Sequence, residues 1–219
     1  MRASALRVKS AVKERREEEK RLRREAILAA AKRVYSRRGF AGATIEDIAA
    51  ESRVSVGTIY LYYRSKEDLY VSLLFESMEA FTSALTKILH SRRRPVRKLR
   101  EAWSFFHTFR EKFPESYRAF FLLHRQGFRA AVPPATLREL NRRAGRNFAV
   151  AAAIVHEGMA AGIYRKGNPR EVVDILWSTF MGLVHLSETR ENLGLEITTL
   201  AELHARAFDW IEAGLRRRG

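Results

Sequence analysis

Apolar residues recur at three- and four-residue intervals along most of this 219-residue chain, and that spacing limits the possible folds more than any other feature. Because an α-helix has about 3.6 residues per turn, residues spaced in this way line one face of a helix. Alternating strand patterns and the hairpin dipeptides Asn-Gly and Asp-Gly are missing. The sequence therefore predicts an all-α protein.

Glycine, proline and capping residues divide this periodic pattern into separate helices. Gly39 is expected to end the first secure helix in a left-handed conformation, and Asn168 and Pro169 suit the N-cap and first position of another. Residues 2–20 have almost nothing apolar to bury and are either a frayed helical extension or a disordered basic arm. Two short helices are expected between residues 44 and 63. The other predicted helices span about residues 21–38, 67–90, 96–113, 114–127, 135–161, 172–187 and 198–217.

The charge of the chain favours a polyanionic partner. There are 41 basic and 25 acidic residues, a formal net charge of +16, and residues 1–66 carry 17 basic and eight acidic side chains. Such an excess suits nucleic acid or an anionic membrane surface, although a surface rich in ion pairs would account for part of it. The absence of cysteine excludes disulfides, thiolate zinc ligands and cysteine nucleophiles. With no secretory signal pattern and no long uncharged apolar stretch, we expect a soluble cytoplasmic protein that does not bind membranes.

Residues 39–66 contain two helix caps in quick succession. Thr44 can accept a hydrogen bond from the Asp47 amide while Asp47 reaches back, which is a capping box with Asp in place of Glu. Ser55 can cap a second short helix after a tight turn at residues 52–54. Ser65 can cap the next helix, and Lys66 stands at its entrance, where its ammonium and the helix amides can hold a phosphate. The spacing indicates a helix-turn-helix.

The second short helix presents a small, hydroxylated outer face. The 100° step per residue directs Ile59, Tyr63 and Val56 toward the core and places Gly57 and Leu61 outermost. Gly57 leaves room for close approach to a major groove, and tyrosines on the flanks can reach phosphates on either side. For each tyrosine taken singly, packing in the protein core is as good an explanation as contact with phosphates. The residues predicted to contact DNA are Thr44, Ser55, Val56, Gly57, Thr58, Tyr60, Leu61, Tyr62 and Lys66.

About residues 21–75 resemble the DNA-binding domain of the TetR family of bacterial transcriptional regulators. The most specific part is the run Val-Ser-Val-Gly-Thr-Ile-Tyr-Leu-Tyr-Tyr-Arg-Ser-Lys-Glu-Asp-Leu at residues 54–69. The resemblance implies that Thr44, Thr58, Tyr60, Tyr62 and Lys66 stand where relatives contact operator DNA. Val56 departs from the basic residue that many members carry, and Leu61 departs from a position that is commonly polar or aromatic. Base readout is therefore expected to use apolar contact with thymine methyl groups.

The resemblance also implies a C-terminal helical domain that dimerises and binds a small-molecule effector. We thus predict a basic arm at 1–20, a helix-turn-helix domain at 21–66 and an effector-binding and dimerisation domain at 67–219. Two apolar stripes suggest the dimer interface, although burial within one chain is an equal alternative for each residue. The stripes comprise Val173, Trp177, Phe180 and Val184, and Leu200, Leu203, Ala207, Trp210 and Ile211.

Aromatic residues are concentrated between residues 100 and 150, and a pocket could lie among them. The candidate pocket residues are Trp103, Phe106, Phe109, Phe120, Phe121, His124, Arg125, Phe128 and Phe148. Most of these side chains are expected in the core. Because His124, Arg125 and Arg129 lie near apolar residues, we hypothesise a hydrophobic effector with an acidic head, such as an acyl chain.

The function predicted from these observations is a repressor that binds a palindromic operator as a homodimer and is released by a small molecule. A sequence-tolerant chromosomal DNA-binding protein is the alternative that the charge permits. An enzyme is less favoured, because the six histidines are scattered and neither an HExxH motif nor a phosphate-binding glycine loop occurs. No metal or cofactor is expected. Binding of residues 2–20 to a membrane surface is the least favoured alternative, because they lack a bulky apolar face.

Overall fold

The computed structural model describes the backbone of residues 2–123, 125–195 and 198–217, and the side chains in these ranges other than 2–11, 115, 116 and 120. The described chain is built of α-helices joined by short turns, which confirms the predicted all-α class. The helices are α1 (Arg2–Gly42), α2 (Ile45–Ser52), α3 (Val56–Tyr62), α4 (Lys66–Leu89), α5 (Pro95–Lys112), α6 (Pro114–Leu123), α7 (Gln126–Ala130), α8 (Pro134–Ala160), α9 (Pro169–Asn192) and α10 (Leu200–Leu215). None of the described helices is long and apolar enough to cross a membrane.

Helix α1 is longer than the helix predicted for residues 21–38. Its described backbone is helical from Arg2, so the predicted extension is helical. Gly39 has φ 65° and ψ 174°, a non-helical conformation inside the run that ends at Gly42. Positive φ at this position was expected, because glycine reaches it without a Cβ clash. The chain, however, resumes helical turns for three more residues.

The single helix predicted for residues 114–127 is wrong. Helix α6 ends at Leu123, and Arg125 takes an extended conformation before α7 begins at Gln126. Gly127 consequently lies inside α7 and does not end a helix. The apolar periodicity continues through residues 117–128 and gives no sign of the break, because both short helices bury aromatic side chains.

The chain divides into two compact units. The first comprises residues 1–75 and 115–138, and the second comprises 76–114 and 139–219. The boundaries fall inside α4, after the first residue of α6 and inside α8. The predicted division after residue 66 concerns function and stays a prediction; by contacts, the start of α4 and residues 115–138 group with the helix-turn-helix.

The core of the first unit joins α1 to the helix-turn-helix and to α7. Four aromatic rings form a cluster. The centre of the Phe40 ring lies 4.9 Å from that of Tyr70 and 5.0 Å from that of Phe128, and the Tyr35 and Tyr70 rings meet edge-on with their centres 4.8 Å apart. The Tyr35 hydroxyl donates to the Lys66 carbonyl at 3.1 Å. The buried aliphatic residues of α1, α2, α3 and the start of α4 are Ile27, Val34, Ile45, Ile48, Ile59, Leu69 and Leu74.

The core of the second unit surrounds Trp103 of α5. Its indole Nε1 donates to the His204 carbonyl at 2.8 Å, and its ring stacks on the His204 imidazole with centroids 4.3 Å apart. Lys98 is buried and donates to the Leu89 carbonyl at 2.5 Å and to Glu157 at 2.7 Å. The last carbonyls of a helix lack partners within that helix, so Lys98 satisfies one at the end of α4.

Candidate nucleic-acid interface

The first helix of the motif, α2, begins with the predicted capping box. The Asp47 amide donates to Thr44 Oγ1 at 3.1 Å, and the Thr44 amide donates to Asp47 Oδ2 at 3.1 Å. The bond from the Thr44 amide, together with the Arg38 guanidinium 2.9 Å away, holds the pKa of the Asp47 carboxyl below its usual range. Ile48 and Ala49 are buried, so the start and orientation of α2 are fixed on both sides.

Helix α3 presents the outer face that the sequence predicts. Ser55 caps it by accepting from the Thr58 amide at 3.1 Å, and its hydroxyl also meets Thr58 Oγ1 at 2.9 Å. Ile59 is fully buried, whereas Leu61 is 82% exposed and Tyr60 52% exposed. Gly57 is exposed, and Val56, Thr58 and Tyr62 are half-buried. A face of this shape offers a groove little steric resistance at its centre.

The entrance of α4 brings Lys66 next to the start of α2. Lys66 Nζ donates to the Ala43 carbonyl at 2.8 Å and lies 4.3 Å from the centre of the Phe40 ring. Thr44 follows Ala43 directly, so two of the predicted DNA contacts are neighbours in space. The N-terminal end of α2, which begins at Ile45, follows both Ala43 and Thr44, and the N-terminus of a helix attracts anions.

The cap of α4 is itself tied to residues that follow α7. Ser65 Oγ accepts from the Asp68 amide at 3.0 Å, as predicted, and donates to the Ala131 carbonyl at 2.9 Å. The buried Asp68 carboxylate accepts from the Arg64 amide at 2.9 Å and from Thr136 Oγ1 at 2.6 Å. The position of Lys66 is therefore set by contacts from residues far along the chain.

Several basic residues of α1 are neutralised by α2. Arg33 and Arg37 both bind Glu51, at 2.6 and 2.5 Å, and their hydrogen bonds lower the pKa of its carboxyl. Together with the Arg38 pair, these bridges orient α2 against α1. The positive charge of the motif is thus smaller than a count of arginines suggests.

Two arginines beside α3 were not among the predicted contacts. Arg53 occupies the turn before α3 with φ 56°, and Arg64 follows the helix; both are exposed. Within the described part of the chain, no partner is recorded for either guanidinium. Their position directly before and after the recognition helix was the sequence signal that could have singled them out.

The described candidate pocket residues fall into two groups. Trp103, Phe106, Phe109 and Phe148 belong to the second unit, whereas Phe121, Arg125 and Phe128 belong to the first. Phe128 is buried in the aromatic cluster, and Arg125 is exposed. His124 and the side chain of Phe120 lie outside the described residues.

Two of the cavities formed by the described residues lie within the second unit. One of about 10 Å³ is lined by apolar side chains, among them Trp103, Phe106 and the small Ala102 and Ala151. The other, of about 290 Å³, is an open groove between α5 and α10. It is lined by Arg100, Trp103, Ser104, His107, Ala201, His204, Ala205 and Phe208.

The residues predicted for the dimer interface are placed differently from one another. Val173, Phe180 and Val184 are buried within the chain, as is Ala207. Trp177, Leu200, Leu203 and Ile211 are half-buried, whereas Trp210 is 77% exposed. Another face of α9 is exposed, with Ile175 and Leu186 as its large apolar members.

The capped α2–turn–α3 pair, with its buried inner side and exposed recognition face, defines a helix-turn-helix DNA-binding regulator. The profile described as "Bacterial regulatory proteins, tetR family" matches residues 27–73, and that of "Tetracyclin repressor-like, C-terminal domain" matches residues 111–209. The chain belongs to the TetR family of transcriptional regulators.

Curated relatives are similar over parts of their length. The chain is 29% identical over 142 residues to the transcriptional repressor NicS of Pseudomonas putida, covering 65% of this chain and 66% of the relative. It is 32% identical over 81 residues to the fatty acid metabolism regulator protein of Bacillus subtilis, covering 37% and 42%. In these alignments the chain spans no more than 66% of the relative's own length.

Solved structures share the fold over most of the chain. A Bacillus subtilis FadR structure in complex with stearoyl-CoA has a TM-score of 0.68 at 20% identity, covering 88% of this chain and 99% of that one. PfmR from Thermus thermophilus has a TM-score of 0.65 at 18% identity, covering 87% and 99%. At these identities the likeness establishes the fold alone.

Proposed function

We propose that the protein is a non-enzymatic repressor that binds a palindromic operator as a homodimer and is released by a small-molecule effector. The exposed face of α3 carries this proposal, because it leaves Gly57, Tyr60 and Leu61 open between two capped helix starts. Thr44 and Lys66 lie together at one side of the motif, where they can hold the same stretch of DNA backbone. Tyr60 and Tyr62 supply hydroxyls for further phosphates, and Leu61 suits thymine methyl groups.

Homodimerisation is proposed through the exposed sides of α9 and α10. Ile175 and Leu186 lie on the exposed side of α9 with Ser178 and Gly182 between them, and Trp210 dominates that of α10. The small residues permit close approach of a second helix, and the apolar ones gain from being covered. A dimer is needed because one helix-turn-helix reads too few bases, and paired half-sites lie about 34 Å apart.

The proposed effector is a hydrophobic molecule with an acidic head, such as an acyl compound. The apolar cavity beside Trp103 and Phe106 is about the size of one water, so an acyl chain would have to enlarge it. Its lining includes Ala102 and Ala151, whose small side chains leave room for such movement. Arg125 and Arg129, the residues that the sequence suggests for the acidic head, are exposed residues of the first unit. The fatty acid regulator among the relatives and the stearoyl-CoA complex among the structures support this choice.

The proposed mechanism is a population shift. Helix α4 starts at Lys66 and runs without interruption to Leu89 beside Lys98, so movement at one end can be felt at the other. An effector that favours one position of α4 would change the separation of the two recognition helices. Operator and effector must then weaken each other's binding by the same factor.

The decisive experiment is in vitro selection of duplexes from a random library with the full-length protein, followed by footprinting and gel shifts. The proposal expects a palindrome with half-sites about one helical turn apart. Binding that depends on salt but not on sequence would instead establish the alternative of a chromosomal architectural protein.

Effector class is tested separately by thermal shift. Acyl-CoA compounds should raise Tm and release the selected duplex, since a ligand that binds only the folded state stabilises it. Apolar cations of similar size serve as the matched probes. Stabilisation by the cations and not by the acyl compounds would overturn the acidic-head proposal while leaving the DNA-binding function intact.

A further inference from the structure

Helix α1 extends well beyond the core that it helps to build. Ile27 is the first buried residue of α1 in the described side chains, and every position from 12 to 26 is exposed. At 1.5 Å per residue, this exposed segment is about 22 Å long. We call residues 12–26 the arm.

The arm is helical without a core because its own side chains support it. Arg15 pairs with Glu19 at 3.2 Å, Lys20 with Glu17 at 3.4 Å, and Arg21 with both Glu18 and Glu25. Oppositely charged side chains three or four residues apart stabilise an isolated helix. A helix that is polar all round persists through such pairs.

The charges of the arm are unevenly distributed around the helix. With 100° per residue, five of its seven basic residues fall within a sector of about 100°; Glu17 borders this sector, and the other four glutamates of the arm lie outside it. That sector contains no acidic residue. We call it the basic stripe; it consists of Lys13, Arg16, Lys20, Arg23 and Arg24.

The basic stripe lies on the same side of α1 as its buried residues. The same count places Ile27, Ala31 and Val34 in line with the stripe, so one helix face changes from apolar to basic where the core ends. At the junction, the Arg24 guanidinium lies 5.1 Å from the centre of the Tyr63 ring, and the Tyr63 hydroxyl donates to the Arg24 carbonyl at 3.3 Å. Tyr63 directly follows the recognition helix α3. The stripe therefore starts at the end of the helix that enters the groove.

We propose that the arm is a second DNA-binding element, whose basic stripe follows the phosphate backbone of the duplex flanking the sequence read by α3. The inference rests on the proposed operator binding and adds a contact outside the helix-turn-helix. An exposed helix of about 22 Å spans roughly six base pairs, at 3.4 Å per pair. Of the stripe residues, Lys13, Arg16 and Arg23 have neither an ion pair nor a ring contact recorded in the described chain, so their charges are open to phosphates.

The test compares two triple variants with equal loss of charge. Lys13→Gln with Arg16→Gln and Arg23→Gln removes the open charges of the stripe, and glutamine keeps the helix propensity high. Arg92→Gln with Arg165→Gln and Lys166→Gln removes three exposed charges from the second unit. Each protein is titrated with a selected palindromic duplex that carries either two or twelve flanking base pairs, and circular dichroism confirms helicity.

On long flanks, the stripe variant should bind roughly ten- to hundredfold more weakly at 0.15 M salt and lose about 2–3 from the slope of log K against log salt. Trimming the flanks should weaken the wild type and the control but not the stripe variant. Equal losses in the two variants, or no dependence on flank length, would overturn the inference. Failure of the selection to yield any bound duplex would instead refute the proposed function.

Discussion

At the scale of single residues, the DNA-facing side chains differ in how far the fold restrains them. Tyr60 projects from α3 without a recorded bond, whereas Lys66 is bound to the Ala43 carbonyl and to the Phe40 ring. A phosphate contact by Lys66 would share or replace its intramolecular bond. A substitution of Lys66 removes both its charge and its bond to Ala43, so a test has to separate the effect of lost charge from that of lost position.

We expect Lys66→Ala and Tyr60→Phe to weaken DNA binding almost uniformly across sequences, because each removes a backbone contact and no base contact. Lys66→Ala should lower the salt slope by about 1. Gel shifts over a range of salt measure both effects. Lys87→Ala removes the same charge from an exposed position near the end of the same helix and should leave the slope unchanged. Wild-type affinity in both variants would show that these two side chains do not contact phosphates.

His204 is a buried imidazole whose protonation opposes folding. Burial, with the neighbouring His107, lowers its pKa to about 4, and its Nε2 has no recorded partner. Because the pKa of His204 is lower in the folded protein than in the unfolded chain, its contribution to the free energy of unfolding is fully present above the unfolded-state pKa of about 6.5. That contribution is lost as the pH falls toward 4. Between pH 7 and pH 4.5 the loss should be about 2–3 kcal/mol.

The measurement is denaturant unfolding at the two pH values, with His204→Phe as the comparison. Phenylalanine keeps a ring against Trp103 but cannot take up a proton. The variant should therefore lose less stability on acidification than the wild type does. Equal pH dependence in the two proteins would contradict the assignment to His204.

At the scale of elements, α8 shows how a single glycine fixes the approach of two segments. A Cβ at Gly158 would overlap the ring of Tyr164, which is buried after the turn that follows the helix. Gly145 lies in the same helix, and nothing would meet its Cβ within 4 Å. Replacing glycine by alanine changes helix propensity equally at the two positions, so a difference in stability between them reflects packing.

Gly158→Ala should therefore destabilise the protein by about 1–3 kcal/mol through overpacking. Gly145→Ala should stabilise it by about 0.4–1 kcal/mol, because alanine restricts the unfolded chain. Thermal or urea unfolding measures both. If the two variants were equally stable, the tight approach of Tyr164 to α8 would be refuted.

At the scale of the whole molecule, the exposed apolar side chains of α9 and α10 allow the proposed dimerisation to be tested separately from folding. Substituting Ile175 and Trp210 by glutamate should shift the protein from dimer to monomer and leave Tm of the isolated subunit nearly unchanged, since both side chains are exposed. Val173→Ala is the matched change in the buried stripe; it should reduce the free energy of unfolding by about 1–3 kcal/mol, and so lower Tm, without dissociating the dimer. Sedimentation velocity measures assembly. A dimer that survives the glutamates would place the interface elsewhere.

Much of the fold and of the DNA-facing site follows from the sequence, because capping and periodicity are local. The Thr44 and Ser55 caps form between residues within three positions of each other, and the helical period places Ile59 and Leu61 on opposite sides of α3. Such features need no knowledge of distant parts of the chain. The helix-turn-helix was predictable to within a few residues for that reason.

Tertiary structure alone decided which of several apolar faces is covered. The sequence shows that α9 is apolar on more than one side, but the packing of α5 and α10 around Phe180 makes Val173 and Val184 core and leaves Ile175 exposed. Three contacts between distant residues likewise depend on the fold. Lys66 binds the Ala43 carbonyl, Ser65 binds the Ala131 carbonyl 66 residues away, and the end of the arm next to the core lies against Tyr63. Hydrophobic burial is not directional, so a sequence specifies that a face must be covered, and only the assembled chain determines what covers it.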